Sequence, residues 1–388
     1  MNESATLALL LERGSLTRGE LREVTGLSKP TTSEVLRRLT EAGLAVLAGH
    51  TTGGPGPNAE IYRANPAAAH AVAVAVRETS DVSRAYLSGA LCDLTGTVVA
   101  GTESIVDFAV GASPQATDPV QAVAAVVAEL CGRPGLETSR VQRVALGVPG
   151  SYDAGTGVIR HIDVPGWGRP GLVDELTDRL AVPVGVENDV NLAAIAERSR
   201  GVAADADSFA LIWFGPGLGL AIDLGGALVR GARGGAGEIG YVPVGVRGGT
   251  NRTDLQDLLG ERGVLSLAAE HGIAQVGTAE AAVRTAAGHP AGEAFLDALA
   301  ERIAWGAAAV VAVLDPALVV LAGDLARAGG EALTDRVTAA LRSTTPLDTT
   351  IAVTGIAGDP VLLGALDAAL RAVRETLIDD LRNAVPAA

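Results

Sequence analysis

The stretch VPVGVENDVNLAAIAERSR, residues 182–200, decides the fold class because it reads as a buried strand that runs directly into a helix. The pattern predicts the strand over 182–186 and the helix over 192–200, with Asn188 and Asp189 between them. In α/β sheets, ligands bind at the carboxyl ends of strands, where side chains and the free N–H groups of the next helix converge. Asn188 and Asp189 are therefore candidate ligand-binding residues, with the alternative that Asp189 only caps the helix.

A second stretch, GAGEIGYVPV at residues 235–244, holds one carboxylate, Glu238, in an otherwise apolar segment. Three glycines in its first six residues let the backbone turn tightly and approach a partner closely. The alternative is a surface turn in which Glu238 is simply solvated. Because Asn188 and Asp189 supply polar partners, we predict that Glu238 belongs to the same ligand site.

Strands mixed with helices recur on both sides of this region in two comparable series. Strands are predicted over 71–76, 85–92, 97–103 and 144–148 with a helix over 119–130, and then over 209–214, 219–224, near 228, over 318–321 and over 351–354. This pattern predicts an α/β protein with two lobes and a cleft between them.

The composition excludes several classes of protein. With 388 residues, of which 48% are hydrophobic, the chain is predicted to fold into two or three units. The cysteines Cys92 and Cys131 lie far apart and the five histidines do not cluster, so neither a disulfide framework nor a zinc site is predicted. The first residues lack a basic leader and no apolar run is long enough to span a bilayer, so we expect a cytoplasmic protein without a membrane partner.

The net charge of −15 does not exclude nucleic-acid binding, because it is unevenly distributed. Residues 1–65 hold seven basic and seven acidic side chains, so the whole negative excess lies downstream. A neutral N-terminal module is compatible with DNA binding, since only its local face has to meet phosphate.

Residues 1–65 predict a winged helix-turn-helix domain. After a first helix over 5–13, the stretch LREVTGLSKPTTSEVLRRL (residues 21–39) contains parts of two short helices joined by a tight turn. Two strands then flank a predicted wing, TTGGPGPN at 51–58, whose lack of arginine predicts little contribution to sequence readout. The alternative is a plain three-helix bundle.

The third helix of this module carries the candidate DNA-contacting residues. Short polar side chains at its N-terminal end can approach base edges, and a helix N-terminus favours phosphate. We expect the arginines to contact mainly phosphate and the hydroxyl side chains to set base preference. The candidates are Ser28, Lys29, Thr31, Thr32, Ser33, Arg37 and Arg38.

Four motifs resemble, in order and spacing, those of the ROK family (repressor, open reading frame, kinase), which comprises bacterial sugar kinases and sugar-responsive repressors. They are GVPGSYDAGTGVI (147–159), VPGWG (164–168), VPVGVENDVNLAAIAE (182–197) and GPGLGLAIDLGGALVRGARGGAGEIGY (215–241). The resemblance implies a two-lobed actin-like (ribonuclease-H-like) domain over residues 66–388. It also implies that Asn188, Asp189 and Glu238 hydrogen-bond sugar hydroxyls, and that in the kinases the Asp activates the attacking hydroxyl.

Three departures from the family pattern predict that the chain is not a kinase. The first phosphate segment, VAVRETSDVS at 74–83, has no glycine to cradle phosphate. In the second, Pro216 stands between Gly215 and Gly217 and removes a hydroxyl and a backbone donor. On the adenosine side, Asp324 adds a negative charge.

A fourth departure concerns zinc. Many ROK proteins bind zinc through the His that closes GEIGH and a following cysteine cluster, whereas here Tyr241 replaces that His and residues 244–260 contain no cysteine. We therefore predict no metal and no other cofactor. Since the family's His also lies near the sugar, Tyr241 is expected to reshape the effector pocket or fill part of it.

The sequence thus predicts a DNA-binding transcriptional regulator, a repressor of carbohydrate-related genes, whose sugar effector binds between the lobes. The predicted partners are a pseudo-palindromic DNA operator and a second copy of the chain, as a dimer or tetramer. The alternatives are a sugar kinase with a DNA-binding appendage and a regulator whose pocket takes a non-sugar ligand or none.

Overall fold

A computed structural model describes residues 2–51, 59–79, 81, 83–108, 117–133, 140–247, 251–273 and 275–383. The chain divides into two compact units. Unit 1 comprises Met1–Val148, Asp163–Val186 and Ala365–Ala388, and unit 2 comprises Pro149–Ile162 and Glu187–Gly364. Across the described residues, no helix combines the length and apolar character needed to cross a bilayer.

The first part of unit 1 is a winged helix-turn-helix, here called the head. It consists of α1 (Asn2–Arg13), β1 (Leu16–Thr17), α2 (Arg18–Thr25), α3 (Lys29–Glu41), β2 (Ala45–His50) and β3 (Glu60–Ala64). Thr17 caps α2 in a capping box with Glu20, Gly26 ends it with a φ of 67°, and Ser28 caps α3. The predicted helices and the two strands beside the wing are confirmed, while the predicted wing tip at 52–58 lies outside the described residues.

The head has its own hydrophobic core. Leu7, Leu21 and Leu36 are at most 1% exposed at its centre. The core receives two further side chains, Leu377 and Leu381, from the C-terminal helix of the chain.

The rest of unit 1 is built on a five-stranded sheet in the order β10-β7-β4-β5-β6. Its elements are β4 (His70–Glu78), β5 (Arg84–Asp93), β6 (Val98–Asp107), α4 (Pro119–Cys131), β7 (Val141–Val148), α5 (Leu172–Leu180) and β10 (Val184–Asn188). Strand β4 pairs antiparallel with β5 and parallel with β7. Helix α4 packs so closely on β5 that a Cβ at Gly89 would lie 2.4 Å from Val126, which explains the glycine there.

Unit 2 repeats this sheet order, as β13-β12-β11-β16-β17. In both sheets the first strand of the series pairs antiparallel with the second and parallel with the fourth. The elements are β8 (Ser151–Asp153), β9 (Val158–Arg160), α6 (Asp189–Arg200), β11 (Ser208–Phe214), β12 (Leu218–Leu224), β13 (Ala227–Leu228), β14 (Pro243–Arg247), β15 (Asn251–Asp254), α7 (Leu255–Leu259), α8 (Glu261–Glu270), α9 (Ala279–Ala286), α10 (Gly292–Leu314), β16 (Leu318–Ala322), α11 (Asp324–Thr344) and β17 (Thr350–Val353). The prediction of two comparable α/β halves is confirmed.

Helix α12 (Pro360–Asn383) begins in unit 2 and ends in unit 1. Within unit 2 it packs closely against α6. A Cβ at Gly364 would lie only 1.8 Å from the carbonyl oxygen of Leu192, which explains the glycine there. Within unit 1, Arg374 donates two hydrogen bonds to the carbonyl oxygen of Leu94, and the last turns reach the core of the head.

Two sequence expectations around the candidate site need correction. Strand β10 extends to Asn188 instead of ending at 186, and α6 begins at Asp189 instead of Leu192. The hairpin β8–β9, which the sequence analysis did not predict, directly follows Gly150. The shifted boundary places Asn188 at the end of β10. The hairpin matters because it follows Gly150, whose carbonyl oxygen accepts a hydrogen bond from Asn188.

Candidate functional site

Asn188 forms the junction between β10 and α6. Its Oδ1 accepts hydrogen bonds from the backbone N–H groups of Val190 (2.9 Å) and Asn191 (3.1 Å), and its Nδ2 donates to the carbonyl oxygen of Gly150 (3.1 Å). Asn188 is therefore the N-cap, the role that the sequence analysis considered for Asp189. Asp189 occupies the first helical position, where its half-buried carboxylate also accepts from Val190 N at 2.8 Å.

Strand β12 links Asp189 to Glu238. A Cβ at Gly219 would lie 2.6 Å from Val190, the residue after Asp189. The next residue, Leu220, donates its N–H to the carbonyl oxygen of Gly237, the residue before Glu238, at 3.1 Å. Asp189 therefore precedes a residue that contacts Gly219, and Glu238 follows a residue that is hydrogen-bonded to Leu220. Both carboxylates belong to unit 2.

Gly237 fixes the position of Glu238. Its φ is +95°, and an added Cβ would lie 1.9 Å from the carbonyl oxygen of Leu220, so no other residue fits. The half-buried Glu238 then starts a 3-10 turn over Ile239–Tyr241. Among the described residues its carboxylate has no hydrogen-bond or ion-pair partner, so its oxygens remain available to a ligand.

Glu187 and Arg230, neither of which was predicted to belong to the site, join Asn188, Asp189 and Glu238 in the group of side chains here called the polar cluster. Glu187 accepts from the N–H of Asn188 (3.0 Å) and from Nδ2 of Asn191 (2.9 Å). Its second oxygen pairs with Nε of Arg230 at 2.6 Å, which ties the Gly-rich segment to the end of β10. Glu187 lies in the motif at 182–197 and Arg230 in the motif at 215–241, so both could have been predicted as site residues from the sequence.

Tyr241 ends the 3-10 turn that follows Glu238. Its side chain is 66% exposed, and the expectation that it reshapes the effector pocket or fills part of it stays a prediction. Its ring centroid lies 6.4 Å from that of His161, which follows the hairpin β8–β9. This pair was not predicted, because the two residues are far apart in the chain.

Two segments in which the sequence departs from the kinase pattern meet at one cavity of ≈ 180 Å³ in unit 2. Pro216, Glu261, Glu280 and Asp324 are among the residues that line it. The turn at Pro216 already uses its own polar groups, since Gly215 N donates to Gly217 O and the side chain of Gln256 bonds both Leu218 N and Pro216 O. Carboxylates and occupied N–H groups are poorly suited to bind phosphate.

The described part of the chain contains no cluster of three or more His, Cys, Asp or Glu side chains able to hold a metal ion. The segment that follows Tyr241 includes residues 248–250, which are not described. The absence of a metal cofactor therefore stays a prediction.

The N-terminal end of α3 presents the predicted base-contacting residues. Ser28 and Lys29 are exposed, and Thr31 and Ser33 are half-buried. Thr32 must be removed from this set, because it is only 2% exposed and its hydroxyl donates to the carbonyl oxygen of Ser28 at 3.0 Å. It packs toward the core because α3 places it one turn before Leu36, on the buried face.

Arg37 and Arg38 are exposed but paired with carboxylates. Arg37 makes hydrogen bonds to Glu34 and Glu41, and Arg38 to Glu34 and Glu3. The guanidinium of Arg37, followed by that of Arg38, lowers the pKa of Glu34 to about 2. A DNA phosphate would have to compete with these carboxylates for both arginines.

Comparison with protein families settles the relationship of the body of the chain. Residues 81–370 match the model of the ROK family. The chain belongs to the ROK family. The N-terminal residues 1–54 of this ROK protein match the model of the MarR family.

Relatives of this ROK protein include both kinases and repressors. A glucokinase from Halalkalibacterium halodurans is 36% identical over 136 residues, which are 35% of this chain and 40% of that protein. A xylose repressor from Bacillus subtilis is 24% identical over 250 residues, 64% of this chain and 62% of that protein. The matched part thus spans 40% to 62% of the length of these curated relatives.

Solved structures share the fold of this chain. A ROK family transcriptional regulator described as a homologue of the E. coli MLC protein superposes with a TM-score of 0.73 and 20% identity, covering 98% of this chain and 97% of its own. A ROK family glucokinase from Streptomyces griseus, in complex with glucose and AMPPNP, gives a TM-score of 0.61 and 22% identity, covering 78% of this chain and 99% of its own. At these identities the likeness establishes the fold alone.

Proposed function

We propose that this ROK protein is a sugar-responsive transcriptional repressor without kinase activity. The head, residues 1–65, binds DNA, and residues 66–388 bind the effector. The observation that carries the proposal is the combination in one chain of a winged helix-turn-helix with polar side chains, Asn188, Asp189 and Glu238, on neighbouring segments of unit 2. The difference in coverage supports it, since the ROK regulator spans 98% of this chain and the ROK glucokinase 78%.

The chemistry of the cluster favours a sugar as the effector. Glu238 offers carboxylate oxygens that no described residue occupies, and Asp189 adds a second carboxylate in the same unit. Fixed acceptors and an amide donor bind a polyol, and a ligand lacking a matching hydroxyl would leave them unpaired. The names of the relatives, xylose repressor and glucokinase, point to a pentose or hexose.

Repression by this protein requires two states of different DNA affinity. The sugar shifts the equilibrium between them only by its differential affinity for the two states. The active form is a homo-oligomer in the cytoplasm, and its operator is pseudo-palindromic, with half-sites related by the two-fold axis of a dimer.

Exchange of Asp189 for Asn is the test of this function. The variant is expected to bind operator DNA as well as the wild type but to lose sugar affinity about 10- to 100-fold, because a hydrogen bond to a charged group is lost. Operator DNA would be selected from genomic fragments, and binding measured by fluorescence anisotropy with D-glucose, D-xylose and other sugars. Asp205→Asn, at an exposed carboxylate in unit 2, is the matched control.

A kinase would behave differently in the same samples. If ATP, Mg²⁺ and a sugar gave turnover that disappeared in the Asp189→Asn variant, the repressor-only proposal would be rejected. The occupied N–H groups around Pro216 and the carboxylates in that cavity lead us to expect no turnover.

The paired arginines of α3 give a second prediction, for DNA affinity. Arg37→Ala is expected to weaken binding to specific and random duplexes alike and to reduce the salt slope by about 1, because one phosphate contact is lost. Glu34→Gln is expected to strengthen binding to both, since it removes the one carboxylate that pairs with both Arg37 and Arg38, while Glu41 and Glu3 keep their pairs. Thr31→Ala and Ser33→Ala should instead relax base preference.

Salt-dependent titrations of specific and random duplexes measure these effects. Arg284→Ala, which breaks an exposed ion pair of unit 2, is the control and should leave DNA affinity unchanged. Weaker binding by the Glu34→Gln variant would contradict the competition between carboxylate and phosphate.

A further inference from the structure

His161 has an unusual backbone for its position. It follows strand β9 and has a φ of +57°, a left-handed conformation that costs free energy in any residue with a Cβ. Of the three other described non-glycine residues with positive φ, Ala181 and Asp315 terminate helices, where this conformation is common, and Gln275 lies in a loop. His161 terminates no helix, and such strain persists mainly where function requires the side chain.

The imidazole of His161 is anchored by Ser151, the residue that follows Gly150. Its Nδ1 is hydrogen-bonded to Oγ of Ser151 at 3.1 Å. A Cβ at Gly150 would lie 3.4 Å from the carbonyl oxygen of His161, and the carbonyl oxygen of Gly150 accepts the hydrogen bond from Asn188. Gly150 therefore lies between the backbone of His161 and the side chain of Asn188. All these residues belong to unit 2.

The ring of His161 is also paired with that of Tyr241, at 6.4 Å between centroids and 52° between planes. Both side chains are exposed, and this separation is within the range for interacting aromatic rings. Since Ser151 occupies Nδ1, the other ring nitrogen, Nε2, is the polar atom of the imidazole left to meet a ligand.

We infer that His161 and Tyr241 form an aromatic wall of the effector site and that His161 is a specificity-determining residue. The apolar C–H face of a sugar ring packs on the wall, and Nε2 of His161 hydrogen-bonds one hydroxyl. A sugar without that hydroxyl leaves Nε2 unpaired and binds more weakly. This inference rests on the proposed function, because it assumes that the site holds a sugar.

His161→Gly tests the inference, because glycine removes the imidazole and also accepts the left-handed backbone without strain. The variant is expected to keep or raise Tm, by about 2 °C, while its affinity for the bound sugar falls at least tenfold. The probes are D-glucose, D-xylose and the 2-deoxy and 6-deoxy forms of D-glucose, titrated calorimetrically. Wild type should discriminate at least tenfold between a parent sugar and one of the analogues, and the variant should not.

Asp315→Gly is the matched control, since it relieves a comparable φ of +45° at the end of α10. It should raise Tm without changing sugar affinity. If sugar binding depends on Asp189 but His161→Gly binds every probe as the wild type does, this inference is overturned and the proposed function stands. If the wild type binds none of the sugars, both fall together. A lower Tm for His161→Gly would overturn the argument from strain.

Discussion

Replacement of Gly237 by alanine is expected to abolish effector binding and to destabilise unit 2 by about 3 kcal/mol or more. The added Cβ would lie 1.9 Å from the carbonyl oxygen of Leu220, which is backbone and can move only if β12 moves. The left-handed φ of +95° adds about 1–2 kcal/mol, and overpacking typically about 1–3 kcal/mol. Urea unfolding followed by tryptophan fluorescence, together with sugar titration, would measure both effects.

Two other glycines of unit 2 separate the causes. Gly225 has a φ of +61° but open space around it, so Gly225→Ala should show only the backbone cost of about 1 kcal/mol. Gly235 has neither a positive φ nor a near neighbour, so Gly235→Ala should change little. If Gly237→Ala behaved like Gly225→Ala, the close contact with Leu220 would not define the position of Glu238.

The double variant Leu377→Ala with Leu381→Ala is expected to destabilise the head and to reduce DNA affinity at least tenfold. Both leucines pack against the core around Leu7 and Leu36, where they are half-buried. Their loss should cost about 2–4 kcal/mol in total, less than for two fully buried leucines. Hydrogen exchange of the amides in α1 to α3 would report this local loss of stability.

Sugar affinity should be unchanged in the double variant, because the effector cluster lies in unit 2 and both leucines lie in unit 1. Asp380→Ala, at an exposed position of the same helix, is the control and should leave exchange and DNA binding as they are. Unchanged exchange in the double variant would show that the head does not depend on α12.

The elements that depend on local pattern were predicted well. The cap of Thr17 with Glu20 and the cap at Ser28 involve residues three apart in sequence, so the helices that they start are visible without a tertiary structure. The strands of both sheets were found for a similar reason, since each is a short apolar run bounded by polar or turn residues. Boundaries were less accurate, and the end of β10 moved by two residues.

The candidate site was predicted only in part. Asn188, Asp189 and Glu238 stand in two motifs and were predicted. His161 lies outside every motif, and Ser151, although it stands in the motif at 147–159, shows its contact with His161 only in the fold. Thr32 was misplaced because its burial depends on how α3 packs, which its polar type does not indicate. The pairing of Arg37 with Glu34 and Glu41 follows from helical spacing and could have been predicted.

The sequence by itself determined the family, the winged helix-turn-helix, the two α/β series and the motifs that contain the polar side chains, because each is encoded by residues close together in the chain. The tertiary structure alone decided that Asn188 caps α6, that Glu238 has no described partner, that His161 meets Tyr241, and that α12 supplies leucines to the core of the head. These features arise where segments distant in sequence pack together, and their positions depend on the whole chain folding around them.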